Sequence, residues 1–270
     1  MTGFAHRIAL ALVVLGAACA HSRSEANATN TSRGALLRFK PKVGGRLFAK
    51  VRINVEADSA AEHAAFGFSF SAEETIDKVA EDGTASVSAR LLDATGEAGA
   101  STDQKTMDAL ALAFDELKIR FKRSLRGEVT ELAITDIRAP LDDKMARTVV
   151  SSVYGAAHGP ILPEEPVDVG STWKVETDIG TAVGVVGKAT HSYVFVRKSG
   201  NLSVLSCEST MDAKGPGGAR KHMSSKQTSE YGFDGDSGRL QSILADSSLK
   251  AEEGTPASVR QRVTFKWTAE

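Results

Sequence analysis

The chain has 270 residues, with 33 Lys or Arg against 34 Asp or Glu, so its formal net charge at pH 7 is −1. This near-neutral balance gives no reason to expect a nucleic-acid partner. Only two cysteines are present, which excludes a fold held together by a network of disulfides.

The N-terminus is typical of a cleaved export signal over residues 1–18. Arg7 precedes the apolar run IALALVVLGAA, which is too short to span a bilayer as a helix. The sequence LGAAC favours cleavage before Cys19 and lipidation of its thiol, although Gly16 stands where that motif usually has Leu. The alternative is ordinary cleavage after Ala20. The first reading predicts an exported protein of the cell envelope, tied to a membrane through Cys19 on its periplasmic or surface side.

Residues 19–34 lack large apolar side chains and are rich in Ser, Asn, Thr and Ala. Such a segment has nothing to bury, and we expect a disordered tether. If Cys19 carries lipid, Cys207 has no partner and is expected to behave as a small buried hydrophobe.

The body of the chain alternates apolar and polar residues, which predicts half-buried antiparallel strands. The segments with this pattern are LFAKVRINVEA, FGFSF, TASVSARLL and SVRQRVTFKW. The sequence therefore predicts a mainly β (α+β) fold built from antiparallel sheets. Phe66, Phe68 and Phe70 share one face of the second segment, and we expect them either to form core or to line a cavity for an apolar ligand.

The region around residues 103–124 fits both a helix and a strand. We expect a helix from about 103 to 112, followed by a strand over 115–124 that pairs with 128–135 across Arg126-Gly127. A second helix is predicted around 140–155, where Pro140 fits the first turn and Leu141, Met145, Val149 and Val153 form an apolar stripe.

Short similarities between KPKVGGRLFAKV and EPVDVGSTWKV, and between VSARLLDA and SCESTMDA, indicate two related halves. The predicted organisation is a first β-rich half over 35–138 and a second over 165–270. The linking helix and a Pro-rich crossing occupy 139–164 between them. The alternative is that two unrelated antiparallel meanders share Gly turns and alternating strands.

The sequence contains no recognisable catalytic motif, metal-ligand spacing or phosphate-binding loop. Asp234 and Asp236 in FDGDSGRL are reminiscent of a calcium loop, but Ala245 stands where an EF-hand needs Glu. We expect a hairpin turn there. No metal, cofactor or catalytic residue is predicted.

The lipobox-like N-terminus, DGTASV at 82–87, RGEVTEL at 126–132 and LPEEPVDVGSTWKV at 162–175 resemble a family of uncharacterised bacterial envelope lipoproteins. In that family a Pro-rich segment leads into V-G-x-x-W. The resemblance implies export, lipidation and a mainly β fold, and supplies no catalytic residue. We expect a non-enzymatic lipoprotein that binds a ligand or partner on a curved sheet. The alternatives are a carrier of hydrophobic ligands, a hydrolase whose residues are dispersed in the sequence, and a purely structural or assembly role.

Overall fold

A computed structural model describes residues 22–25, 34–59, 63–135, 159–180, 186–214, 222–251 and 257–269. These residues form twelve strands and one helix, α1 (Gln104–Phe114). The strands are β1 (Ser22–Glu25), β2 (Arg46–Ser59), β3 (His63–Val79), β4 (Ala85–Ala98), β5 (Lys118–Arg123), β6 (Val129–Thr135), β7 (Thr172–Gly180), β8 (Val186–Ser199), β9 (Leu202–Lys214), β10 (His222–Asp234), β11 (Arg239–Ala251) and β12 (Ala257–Ala269).

All twelve strands belong to one antiparallel sheet, in the order β1-β7-β8-β9-β10-β11-β12-β2-β3-β4-β5-β6. The last strand, β12, pairs with β2, and its register runs from Ala257 opposite Ser59 to Ala269 opposite Leu47. The two sequence halves are therefore joined side by side in one sheet. Their relation as an internal repeat stays a prediction, as does the α+β description.

The sheet is strongly curved, and Phe39 shows this directly. Its ring lies 5.3 Å from the ring of Phe233 on β10, and the guanidinium carbon of Arg123 on β5 lies 5.6 Å from its centroid. In a flat sheet β10 and β5 would lie six strand spacings apart, which is roughly 29 Å. One side chain can contact both strands only because the sheet bends around it.

The concave face carries the apolar half of each alternating strand. On β2 the residues Val51, Ile53 and Val55 are at most 3% exposed, whereas the intervening Arg52 and Asn54 are exposed. The convex face bears charged residues that pair across strands, as in Lys226–Glu208 at 2.5 Å and Arg262–Asp246 at 3.5 Å. Such exposed pairs add little net stability. Burial on the concave face therefore contributes most to the fold.

The helix α1 covers the concave face of β3 and β4. Asp103 caps its N-terminus by accepting hydrogen bonds from the backbone N and the hydroxyl of Thr106, at 2.9 and 2.6 Å. Phe114 is 1% exposed, and its ring lies 4.8 Å from Phe68 and 5.9 Å from Phe70. The helix thus fills the first half of the concave face with apolar side chains.

Most local predictions in the described residues are confirmed. The helix begins and ends within two residues of its predicted limits, and β5 pairs with β6 as expected. The predicted helix at 140–155 lies outside the described residues. The predicted disordered tether differs from the structure at Ser22–Glu25, where β1 pairs with β7. A sheet edge such as that of β7 offers backbone N–H and C=O groups, so a short segment can pair with it even when its own side chains are polar.

Among the described residues, no helix has the length and apolar character needed to cross a bilayer.

Candidate functional site

Two irregular segments, 34–45 and 159–171, cross one end of the curved sheet, which we term the closed end. The backbone N of Phe39 donates to Leu125 O at 2.8 Å, and that of Leu162 donates to Arg126 O at 2.8 Å. Both acceptors belong to the β5–β6 turn. Ala35 and Val167 form an isolated bridge that joins the two segments. These bonds satisfy backbone groups that would otherwise be buried without partners.

Two turn glycines allow the segments to approach closely. Gly238 has φ +64°, and a Cβ there would lie 2.5 Å from Lys40 N. Gly127 has φ +94°, and a Cβ there would lie 2.6 Å from an atom of the Phe39 ring. In both cases a side chain would meet backbone strain and a steric clash. The positions of Phe39 and Lys40 therefore depend on these glycines.

A crevice opens at the closed end, between the segment 39–47, the start of β11 and the inner face of β2–β5. Its volume is about 630 Å³ including the mouth that is open to solvent, and only about 40 Å³ is wide enough for water molecules. The side chains beneath the mouth are mainly apolar. The lining residues are Phe39, Lys40, Pro41, Lys42, Gly45, Leu47, Ile76, Ala85, Val87, Arg123, Ser124, Gly238, Arg239 and Leu240.

A buried ion pair lies at the inner side of the crevice. Arg123 Nη2 donates to both carboxylate oxygens of Glu74, at 3.3 and 3.1 Å, and the Glu74 side chain is 1% exposed. The same guanidinium lies over the rings of Phe39 and Phe121, 5.6 and 5.2 Å from their centroids. Stacking on two rings and a shared carboxylate together compensate for removing this charge from water.

The mouth of the crevice is basic. Lys40 and Lys42 are exposed, and Arg239 is half-buried beside them. Lys40 Nζ donates to the carbonyl oxygens of Gly235 and Asp236 at 2.9 and 3.0 Å, which fixes the lysine over the β10–β11 turn. Among the described residues that line the crevice, none is Asp or Glu.

One of the two aspartates of the adjoining turn, Asp234, is committed to that turn. Asp234 Oδ1 accepts hydrogen bonds from the backbone N of Asp236 and Ser237, at 2.9 and 3.1 Å. The bond from Ser237 is the main reason why the pKa of Asp234 is lowered, and the charge of Lys40 is a minor one. The predicted hairpin turn in FDGDSGRL is confirmed, and its aspartate stabilises the turn as an Asx motif does.

A second polar group lies farther along the concave face, on the strands that α1 does not cover. His191, Ser209, Gln227 and Ser247 face one another in register on β8, β9, β10 and β11. We term these four residues the polar row. His191 is 7% exposed; its Nε2 lies 3.0 Å from Thr177 Oγ1 and its Nδ1 lies 2.8 Å from Ser209 Oγ. Both ring nitrogens are thus hydrogen-bonded to hydroxyl groups.

The last member of the polar row differs from the others. Ser247 is 7% exposed, and its hydroxyl oxygen is buried with no hydrogen-bond partner among the described residues. A buried hydroxyl in that state is unfavourable.

The three phenylalanines predicted from sequence as a binding site do not line the crevice. Phe66, Phe68 and Phe70 are 7%, 4% and 3% exposed, and the latter two pack against α1. Their predicted role in ligand binding stays a prediction. Cys19, the predicted lipidation site, lies outside the described residues. Cys207 is 1% exposed and unpaired, as expected for a buried hydrophobe.

Sequence reasoning missed the crevice because its lining residues come from positions 39 to 240 and meet only through the curvature of the sheet. One local signal was available. The stretch RFKPKVGGR, residues 38–46, combines four basic side chains with apolar residues and lacks any acid. Within the part of the chain that the structure describes, no group of three or more His, Cys, Asp or Glu side chains is placed to hold a metal ion.

Comparison with known proteins gives no family. No protein-family model matches the chain, and no curated protein matches it. Among solved structures it is similar to an outer membrane channel from Pseudomonas putida F1, with 9% sequence identity and a TM-score of 0.42. That alignment covers 89% of this chain and 100% of the channel. A TM-score this low carries no argument about the fold or function of this chain.

Proposed function

We propose that the protein is a non-enzymatic lipoprotein of the cell envelope that binds a ligand with an apolar group in the crevice at the closed end of its curved sheet. The observation that carries the proposal is the crevice itself. It is a concave, mainly apolar site with a few polar groups at its mouth, which is the usual character of a small-molecule site. Cys19 would hold this site near a membrane.

The shape of the crevice limits what enters it. Since only about 40 Å³ of it admits the centre of a water-sized sphere, the enclosed part takes the end of an apolar chain or one edge of a ring, and the rest of a ligand lies in the open mouth. Phe39, Val87 and Leu240, all less than 9% exposed, would contact that chain. Each buried methylene contributes about 0.8 kcal/mol to binding.

The binding part of the proposal is tested with N-phenyl-1-naphthylamine, an uncharged probe that fluoresces in apolar surroundings. The substitution Ile76→Trp fills the crevice near its mouth, where Ile76 is half-buried. Leu112→Trp is the matched control, because Leu112 is 50% exposed on α1. We expect wild type and the control to enhance the fluorescence equally, and Ile76→Trp to lose the enhancement. Equal enhancement by all three proteins would contradict the proposed site.

The anchoring part is tested by the intact mass of the mature N-terminal peptide from the native membrane fraction. We expect a peptide that begins at Cys19 and carries a diacylglyceryl thioether. An unmodified peptide that begins at His21 would remove the anchor and leave a diffusible binding protein.

The hydrolase alternative has one observation in its favour, the contact of 2.8 Å between His191 Nδ1 and Ser209 Oγ. The other ring nitrogen is hydrogen-bonded to Thr177, whereas in a Ser-His-Asp triad a carboxylate holds that nitrogen. Hydrolysis of p-nitrophenyl butyrate by wild type and its loss in both Ser209→Ala and His191→Ala would support this alternative. No hydrolysis above buffer would count against it.

A further inference from the structure

We infer that the ligand of the closed-end crevice is an amphiphile whose apolar chain ends in an anionic group, such as a carboxylate or phosphate, held at the mouth by Lys42 and Arg239. This inference rests on the proposed function. It adds the chemical class of the ligand and assigns a binding role to two basic residues.

The charged side chains that line the crevice are all cationic among the described residues. Four cationic side chains from three separate segments line it: Lys40, Lys42, Arg123 and Arg239. The charge of Arg123 is offset by Glu74, but no described Asp or Glu shares the lining with Lys40, Lys42 and Arg239, so these three make the potential at the mouth more positive. An anion entering the mouth is attracted by several charges at once, whereas a cation is repelled by the same charges.

Two carboxylates close to the crevice are already engaged. Glu74 accepts both hydrogen bonds from Arg123, and Asp234 accepts from the backbone of its own turn. Lys40 is held by two carbonyl oxygens of the same turn. Lys42 and Arg239 are the remaining cationic side chains of the lining, and we assign the incoming anion to them.

The two parts of the ligand require different surroundings. Burying an isolated carboxylate is costly, so the anionic group stays at the solvated mouth. Lys42 is exposed and Arg239 is half-buried, so both can meet it without leaving water entirely. The apolar chain points inward, toward Leu47, Val87 and Leu240. This arrangement assigns the apolar lining and the basic mouth to one amphiphilic molecule.

The test compares three probes with the same eight-carbon chain, octanoate, octan-1-ol and octylammonium. Each is titrated as a competitor of N-phenyl-1-naphthylamine at pH 7. We expect octanoate to compete about tenfold more strongly than octan-1-ol, since two partly solvated charge contacts contribute about that much. Octylammonium is expected to compete least. Raising the salt concentration should reduce the difference in competition between octanoate and octan-1-ol.

The variant for this test is the double substitution Lys42→Gln and Arg239→Gln. Its control is Lys50→Gln with Arg52→Gln, which removes two exposed charges from the convex face of β2. We expect the crevice variant to bind octanoate no better than octan-1-ol while it still enhances the fluorescence of the uncharged probe. The control should retain the preference of wild type.

The outcomes separate the inference from the proposed function. If octanoate and octan-1-ol displace the probe from wild type equally well, the inference about the anionic group is wrong, and the proposal of an apolar binding site in the crevice is unaffected. If the uncharged probe does not bind wild type, the proposed function fails as well. Octyl phosphate and vesicles containing phosphatidylglycerol then distinguish the source of the anion. If the protein binds the soluble octyl anions but is not retained on the vesicles, the ligand is a free single-chain acid. If wild type is retained on the vesicles and the crevice variant is not, the anion is a lipid headgroup.

Discussion

The two halves of the concave face are covered in different ways. Over β3 and β4, helix α1 inserts Met107, Leu110 and Phe114, none more than 4% exposed. Over β8–β11 the sheet also buries apolar side chains such as Phe195, Leu205 and Phe233, but it turns the hydroxyl, amide and imidazole groups of the polar row inward beside them. The first half is stabilised by apolar burial and tolerates few changes of volume. In the second half, hydrogen bonds within the polar row add to apolar burial.

The largest expected effect is in the first half. Phe114→Ala removes the ring that contacts Phe68 and Phe70, and we expect the free energy of unfolding to fall by about 3–5 kcal/mol. Urea denaturation measures it. Leu112→Ala on the same helix, where the side chain is 50% exposed, should change the value by less than about 0.5 kcal/mol. Similar losses in both variants would show that α1 is not anchored by Phe114.

The next effect concerns the link between the closed end and the second half. Tyr193 Oη accepts a hydrogen bond from the backbone N of Ile161 at 3.3 Å, in buried surroundings. Tyr193→Phe leaves that N–H without its acceptor, and we expect a loss of about 1–3 kcal/mol in the free energy of unfolding. Faster hydrogen exchange at the Ile161 amide should accompany it. An unchanged exchange rate would contradict the importance of this bond.

Two serines of the polar row should respond in opposite directions. Ser209→Ala removes the hydroxyl bonded to His191, and we expect the free energy of unfolding to fall by about 1 kcal/mol. Ser247→Ala removes a buried hydroxyl that has no partner among the described residues, so stability should stay the same or rise. Thermal unfolding of the two variants side by side measures the difference. A clear loss for Ser247→Ala would mean that its hydroxyl has a partner in the folded protein.

The smallest effect is a dependence on alkaline pH. Burial raises the pKa of the Cys207 thiol from an ordinary value of 9.0 to about 11. The unfolded chain therefore loses this proton at lower pH than the folded chain. The contribution of the protonated, buried thiol to the free energy of unfolding is fully present below pH 9 and is lost as the pH rises toward 11. Wild type should lose more stability than Cys207→Ala across this window, and the native thiol should resist maleimide at pH 8. Rapid labelling would show that Cys207 is accessible.

Local patterns explain which parts of the fold could be predicted. Alternation placed Val51 and Ile53 on the concave side of β2, because period two is a property of each strand alone. The β5–β6 hairpin was marked by Arg126-Gly127, and the β10–β11 turn by its Asp and Gly residues. These features need only neighbouring residues, and the structure confirms them.

Long-range register explains what could not be predicted. Glu74 is buried beside Arg123, 49 residues away in the sequence, and neither position shows this locally. The polar row requires four strands to be aligned, since each contributes one residue. The crevice requires the sheet to bend until β11 meets the segment at 39–42. An apolar stripe such as Phe66, Phe68 and Phe70 is visible in sequence, but its contact with Phe114 is not.

The most direct test of the account is native mass spectrometry of the full-length protein purified from membranes in a mild detergent. We predict that wild type and Leu112→Trp retain one equivalent of an anionic, single-chain or diacyl amphiphile. Ile76→Trp should release it, and the Lys42→Gln, Arg239→Gln variant should retain much less. A wild-type protein with no bound molecule, or one whose ligand persists in Ile76→Trp, would contradict binding at the closed end.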